Sequence, residues 1–402
     1  MPRIPKILLL LASVALVLTV FLGANATGVS AASDPQENAY RQINVYSEVL
    51  SHIQSDYVEE PNIPSVTNGA LRGLAESLDS ESGYLSPEEN KSYKTLKGGK
   101  AQVGLNVSKR YGYATVVSVV PNSPADKANL NDGDIIESIS DKSTHDLSLA
   151  SIEMMLRGEP GTTVTIAVVR PRKAAPDKID LTRALTPLAP VAETLYENST
   201  ILYLKPGILD HDHVSQIEGK LKGLNKGGNK KLLLDLRNVA DGDMAEAQRL
   251  ANMLLKSGTI SVLEGQKFAK QTVTADPSKT VAEKAPVVVL VNRGTAGAAE
   301  LVAAALQDNK RAEVVGEKTF GIGSQQKTFD LPDGGALILS VAKYATPAGK
   351  KIEDDGVTPG VLVAGSIDDG DDDNNAAAPV AHKDQVDDQL SKALEILKNK
   401  AA

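Results

Sequence analysis

Between positions 292 and 326 the chain reads NRGTAGAAELVAAALQDNKRAEVVGEKTFGIGSQQ. The stretch offers hydroxyls at Thr295, Thr319 and Ser324, amines at Lys318 and Lys327, carboxylates at Glu300 and Asp308, and the amide of Gln326. Opening an amide with such groups requires an oxygen nucleophile, a desolvated base within hydrogen-bond reach of it, and donors aimed at the oxyanion. A lysine serves as that base only when stripped of water. The simplest reading of these hydroxyls and amines is solvent exposure or loop structure. No histidine-based triad is apparent. His211 and His213 flank Asp212 at a loop or helix start, and two ligands at i, i+2 without others do not make a metal site. A solvated pair is expected, with no metal and no cofactor.

The elements that must position these groups follow from periodicity. Val287 to Val291 is an unbroken apolar run, as expected of a strand covered on both faces. A helix is predicted over 297–307, with strands at 201–204 and 232–236 and a helix at 245–256. Strand and helix thus alternate over 185–363, which predicts an α/β core with crossover connections. Residues 98–172 differ. Short β-rich runs at 103–107, 114–120 and 163–169 sit between turn signals such as Pro121-Asn122-Ser123-Pro124 and Asn131-Asp132-Gly133-Asp134. A helix over 149–156 places Leu149, Ile152, Met155 and Leu156 on one face. Residues 36–93 read as helical, with Ile43, Val45, Val49, Leu50 and Ile53 spaced three to four apart. Residues 364–384 are acidic and apolar-poor, a solvated linker. Residues 385–402 carry an amphipathic helix through Val386, Leu390, Leu394 and Leu397. The helices at 43–53 and 385–398 look too apolar to stand alone, which leaves a homodimer open.

The length of 402 residues allows two or three domains, and an apolar fraction of 42% is enough for packed cores. The net charge of −8, without a basic block, argues against a nucleic-acid partner. The absence of cysteine excludes disulfides, thiolate metal sites and cysteine catalysis. At the N-terminus Arg3 and Lys6 precede an apolar run from 7 to 23. Small residues follow in Ala24-Asn25-Ala26 and Val29-Ser30-Ala31-Ala32. This order is that of a secretory signal peptide over 1–31, cleaved near Ala26 or Ala31. The competing reading is an uncleaved anchor over 7–23. Either places the working domains outside the cytoplasm, in the periplasm or cell envelope.

Residues 98–172 resemble a PDZ domain. The matching segments are Val103-Gly104-Leu105-Asn106-Val107, Asn122-Ser123-Pro124-Ala125, Asp132-Gly133-Asp134-Ile135-Ile136 and Leu156-Arg157-Gly158-Glu159-Pro160-Gly161-Thr162. The rest of the chain resembles the carboxyl-terminal processing, or tail-specific, serine proteases. Leu234-Asp235-Leu236-Arg237-Asn238, Glu317-Lys318-Thr319-Phe320-Gly321, Tyr344-x-Thr346-Pro347-x-Gly349 and Gly356-Val357-Thr358-Pro359 carry that likeness, as do Asp56-Tyr57-Val58 and Gln389-Leu390-x-x-Ala393-Leu394. The resemblance implies an α/β protease core of crotonase-like ββα units, an inserted PDZ domain (β-rich, α+β) and helical N- and C-terminal segments. The implied divisions are a helical region at 36–97, the PDZ domain at 98–172 and the core at 185–363.

The resemblance also implies a Ser–Lys dyad, and here the residues depart from it. The nucleophile position falls on Gly297 and the base position on Ile322. Glycine has no oxygen to attack with, and isoleucine has no nitrogen to accept a proton. The supporting positions are kept at Gln326, which in the family orients the lysine, and at Asp308 and Glu300. The oxyanion loop, usually a pair of glycines, reads Asp241-Gly242. An inward Asp241 would bring negative charge towards a negative intermediate. The PDZ likeness implies that a peptide C-terminus adds as a strand along 103–107, with Ile152 and Leu156 on the opposite wall. Gly104 would let the backbone approach the ligand, and Asn106 would tolerate a left-handed backbone. The expectation is an exported pseudoprotease that binds C-terminal peptides or unfolded tails as scaffold or regulator, with an active protease paralogue among its conceivable partners. Two rivals stand beside it. One is an active serine-type endopeptidase with relocated catalytic groups. The other is a structural envelope protein whose groove has lapsed.

Overall fold

The computed structural model describes residues 35–96, 101–170, 175–224, 231–365 and 387–400. The signal segment at 1–31 and nearly all of the linker at 364–384 lie outside the described residues. Among the described residues no helix is long and apolar enough to cross a membrane. The chain divides into two compact units between Thr67 and Asn68.

The first unit holds α1 (Pro35–Asp56) and the start of α2 (Ile63–Glu76). The Asn62 side chain caps α2 by accepting from the Ser65 amide at 3.1 Å, and Pro64 occupies the first turn, where its missing N–H is no loss. The apolar face predicted for α1 is exposed at Ile43, Val45 and Val49, and Tyr40 and Tyr46 on the same helix are exposed as well.

The second unit continues with β1 (Gly83–Leu85) and α3 (Pro87–Leu96), followed by β2 (Ala101–Gln102), β3 (Leu105–Arg110) and β4 (Tyr113–Val119). Next come α4 (Pro124–Lys127), β5 (Ile135–Ile139), β6 (Lys142–Ser143), α5 (Leu149–Leu156), β7 (Arg157–Gly158), β8 (Thr163–Val169) and β9 (Asp177–Thr182). Strands β3-β4-β5-β8-β9 form one antiparallel sheet, with β3 at its edge. Strand β9 pairs with β8 throughout, from Thr163 against Thr182 to Val168 against Asp177. The module therefore runs past 172, because its last strand spans Asp177–Thr182. Val103, Val116, Ile136, Ile139, Ile152, Leu156 and Ile166 form its own core.

The remaining elements are β10 (Ala192–Tyr196), β11 (Ile201–Lys205), α6 (His211–Gly223), β12 (Lys231–Asp235), α7 (Met244–Leu254), β13 (Thr259–Gly265), β14 (Phe268–Thr274), β15 (Val287–Val291), α8 (Ala298–Asp308), β16 (Ala312–Gly316), β17 (Ser324–Asp330), β18 (Ala336–Ala345), β19 (Val361–Leu362) and α9 (Asp388–Asn399). The central sheet has the order β10-β11-β12-β15-β16-β19 and is parallel from β11 onward. The apolar run in β15 has the predicted explanation. Val287, Val289 and Val291 face the core shared with α7 and α8, while Val288 and Leu290 face α9 through Ala393 and Leu397. A second, antiparallel sheet joins β1, β18, β13 and β14, with β17 on β18. Strand β1 departs from the all-helical reading of 36–93. Three fully buried residues paired to Ala336–Ile338 are too few to show a period.

The Leu234-Asp235-Leu236-Arg237 segment fastens α9. Asp235 is fully buried and accepts from Arg237 Nη2 at 2.7 Å and Tyr203 Oη at 2.8 Å. Arg237 Nη1 reaches Asp387, the N-cap of α9, at 2.9 Å. Burial and the Asp235 carboxylate together hold the Tyr203 hydroxyl in its neutral form well above the usual range.

Candidate functional site

Strand β15 ends in a tight turn that delivers the chain into α8, and Gly297 stands at that junction as the N-cap. Its backbone, at φ 59° and ψ −117°, is a conformation that L side chains rarely adopt. A Cβ at this position would meet nothing within 4 Å. The turn therefore presents position 297 to open space, under backbone strain for any residue but glycine. Glu300, one turn into α8, is fully buried. Its Oε2 accepts from Gly297 N at 2.9 Å and from Ile322 N at 2.8 Å. Its Oε1 accepts from Gly321 N at 2.8 Å and from the Thr319 hydroxyl. Two backbone nitrogens that share one carboxylate oxygen are neighbours, so Gly297 and Ile322 adjoin although 25 positions apart in sequence. Burial pushes the Glu300 carboxyl up to about 7, and the four donors oppose that push.

The nearby hydroxyls and amines are committed elsewhere. Thr295 is fully buried; its hydroxyl donates to Leu236 O at 2.8 Å and accepts from Asn292 N at 3.0 Å. The Thr319 hydroxyl donates to Glu300 and accepts from Val357 N. Ser324 accepts from Gln326 Nε2 at 2.6 Å. Lys318 and Lys327 are exposed, and the Lys327 ammonium lies over the Phe329 ring at 5.1 Å. Among the described residues no lysine ammonium is hydrogen-bonded to a serine or threonine hydroxyl. Gln326 also reaches Glu81 at 3.4 Å, so it bridges Ser324 and Glu81 instead of orienting a base.

Two expectations need correcting here. Asp308 stands at the other end of α8, roughly 16 Å from Gly297 at 1.5 Å per residue, where it accepts from Ala348 N at 2.9 Å. His213 is buried, with its ring between Asp210 Oδ1 at 2.7 Å and Ala189 O at 2.9 Å, so it ties a loop to the start of α6. Only His211 is solvated, paired with Glu246 at 3.0 Å. Among the described residues no group of acidic or histidine side chains is arranged to hold a metal.

The peptide groove lies between edge strand β3 and α5 and encloses about 220 Å³. Val103, Leu105, Asn106 and Val107 line one wall, and Leu149, Glu153 and Leu156 the other. Ile152 is absent from the lining. It is fully buried in the module's own core, because the i, i+4, i+7 stripe of Leu149, Glu153 and Leu156 faces the groove instead. Asn106 lies in extended strand without positive φ, and its amide donates across to Ser118 Oγ at 2.9 Å. Gly104 is the residue that needs freedom: φ is 87°, and a Cβ would come within 2.1 Å of Ser123 Cβ. The groove does not end within the module, since Ile322, Ala240 and Asp241 also line it. Asp241 therefore does face the cleft. Gly242 beside it bridges to Leu209, whose backbone oxygen would lie 2.9 Å from an added Cβ. Sequence reasoning missed Glu81 and Glu153. Glu81 accepts from Ser108 Oγ at 3.3 Å on the far side of the groove, and no local pattern around it signals that contact.

An edge strand facing a helix across a groove, opening onto a strand–turn–helix junction, defines a PDZ-bearing protease fold. Residues 101–181 match the PDZ domain and residues 202–363 match peptidase family S41. The carboxy-terminal processing protease CtpA of Bacillus subtilis (strain 168) is 31% identical over 362 residues, 88% of this chain and 76% of that protein. A carboxyl-terminal-processing protease of Synechocystis sp. is 32% identical over 319 residues, 77% of this chain and 74% of that protein. Among solved structures, a photosystem II D1 C-terminal processing protease superposes with a TM-score of 0.68 at 26% identity, covering 80% of this chain and 92% of that one. The chain belongs to the carboxyl-terminal processing proteases of family S41.

Proposed function

We propose that this protein is a pseudoprotease of its family, exported to the periplasm or cell envelope, which binds protein C-terminal tails and acts as a scaffold or regulator without cutting them. The observation that carries the reading is the pair of adjoining positions on Glu300. Gly297 and Ile322 stand side by side where a nucleophile and base would have to meet, and neither side chain has a reacting atom. The committed hydroxyls of Thr295 and Thr319 support it, because a nucleophile already donating to an acceptor lacks the free base it needs, and Ser324 only accepts from the Gln326 amide, which is no base. The open edge of β3 and the groove beside it support tail binding, since an added strand would find main-chain partners there. Export rests on the charged, apolar and small-residue order of positions 1–31.

The test uses purified full chain. A fluorophosphonate probe should leave the protein unlabelled, and casein and a fluorogenic tail peptide should stay intact, while an apolar C-terminal peptide shifts the amide resonances of 103–107. Hydrolysis that co-purifies with the protein and disappears in Ser324→Ala or Thr295→Val would establish relocated catalysis and end the proposal. An absence of any peptide-induced shift would point to the structural-envelope reading.

A further inference from the structure

The groove has an electrostatic imbalance that its apolar walls do not require. Three carboxylates line it, Glu81, Glu153 and Asp241, and a single guanidinium, Arg157. They come from separate parts of the chain: the segment before β1, helix α5, and the loop after β12. Glu153 makes no hydrogen bond or ion pair among the described residues, although it is mostly buried on the groove-facing stripe of α5. Burial and the nearby Asp241 charge push its carboxyl up, while Arg157 opposes them. Glu81 is raised to about 7 by burial and by the neighbouring acids Glu353 and Glu153. Arg157 offsets part of this charge, but three carboxylates against one guanidinium leave the lining net negative, which a ligand cation would relieve. The one basic side chain that the family pattern would place here is replaced by Ile322, which lines the same space.

The charges are also ordered along the groove. Arg157 pairs through its strand with Gln102, at the end where the Gly104 loop begins. Glu81 contacts Ser108, three residues beyond Leu105 at the start of β3, about 10 Å away at roughly 3.3 Å per residue. A tail running antiparallel to β3 would set its terminal carboxylate near Gly104 and Arg157. A residue some three positions upstream would then lie among Glu153, Glu81 and Asp241.

We infer that the groove selects C-terminal tails with an apolar last residue and a lysine or arginine about three positions before it, the ligand's cation filling the acidic pocket beside Ile322. The inference rests on the tail-binding reading above and specifies its ligand class.

Fluorescence anisotropy with the full chain would test it, using two labelled decapeptides that differ only in lysine or glutamate at the third position before a terminal alanine or valine. The lysine peptide should bind at least about tenfold more tightly, a difference of about 1.4 kcal/mol. The advantage should shrink with added salt. It should also shrink in Glu153→Gln and reverse in Glu153→Lys, with circular dichroism showing both variants folded. Equal binding of the two peptides, or unchanged discrimination in folded Glu153→Lys, would overturn the charge inference and leave tail binding standing. Failure of both peptides to bind would overturn tail binding itself, and this inference with it.

Discussion

Placing a serine at position 297 examines the turn and the chemistry separately. The backbone there, at φ 59° and ψ −117°, penalises any L side chain, whereas the space around the missing Cβ is empty. Gly297→Ser should therefore lose the conformational penalty alone, about 1–2 kcal/mol, with no clash to add. For a core of this size that corresponds to a melting temperature lower by about 2–8 °C. Gly316 provides the contrast, because a Cβ there would come within 1.9 Å of Val291 O, so Gly316→Ala should disrupt the sheet outright. Gly297→Ser alone should stay inert to a fluorophosphonate probe, because no amine lies beside the new hydroxyl. Adding Ile322→Lys supplies one, but the new ammonium would face Glu81, Glu153 and Asp241, which favour its charged form and make it a poor base. Labelling of the double variant should thus be slow at neutral pH, and faster at alkaline pH or when Asp241→Gly is added. The assay is probe incorporation by in-gel fluorescence, alongside thermal melts of the same preparations. Labelling of Gly297→Ser alone at the rate of the double variant would refute this reasoning. So would a loss of more than about 4 kcal/mol in the single variant, which would mean that the turn is not open.

Gly104→Ala should abolish tail binding and destabilise the module as well, because the added methyl meets the fully buried Ser123 at 2.1 Å in a positive-φ backbone; peptide anisotropy and thermal melts would register the two effects. Breaking the Asp235–Arg237 pair with Arg237→Leu should cost about 3–5 kcal/mol, since the fully buried carboxylate is left without its cation; urea unfolding measures it. Stability should also depend on pH through Glu300 and Glu81. Both folded-state values lie near 7, above the ordinary value of 4.5. Their stabilising contribution is accordingly complete below about pH 4.5 and is lost as pH rises through 7. Glu81→Gln should flatten the decline over that window by on the order of 2 kcal/mol in urea titrations, and an unchanged pH profile would contradict the assignment.

Residues whose role is set by a local period or by a dense motif were legible from the sequence. The five apolar residues of β15 announced a strand covered on both faces, whereas Gly104, read as leaving room for a ligand, is required by the side chain of Ser123. Roles that depend on distant partners were not. Glu81 matters because Ser108 and Gln326 converge on it, and nothing in Asp79-Ser80-Glu81 foretells either contact. Ile152 and Glu153 are adjacent on α5, and a helical period cannot say which of two neighbouring stripes faces the module's core and which the groove. Asp308 shares a helix with Gly297, but a shared helix separates its ends by its own length. His213 looked solvated because its partners, Asp210 and Ala189 O, meet it only once the loop before β10 folds back. The α1 face at Ile43, Val45 and Val49 was read as apolar, but periodicity cannot say what covers it.

The cover that α9 gives the central sheet has a consequence for how the chain matures. Leu233, Val288, Leu290 and Val315 present one apolar face, and Ala393 and Leu397 close over it. All six strands of that sheet are synthesised before these two residues. During synthesis, a nearly finished sheet therefore exposes a greasy surface until the helix arrives and Arg237 catches Asp387. The interval favours capture by a chaperone and invites sticking to a second nascent copy.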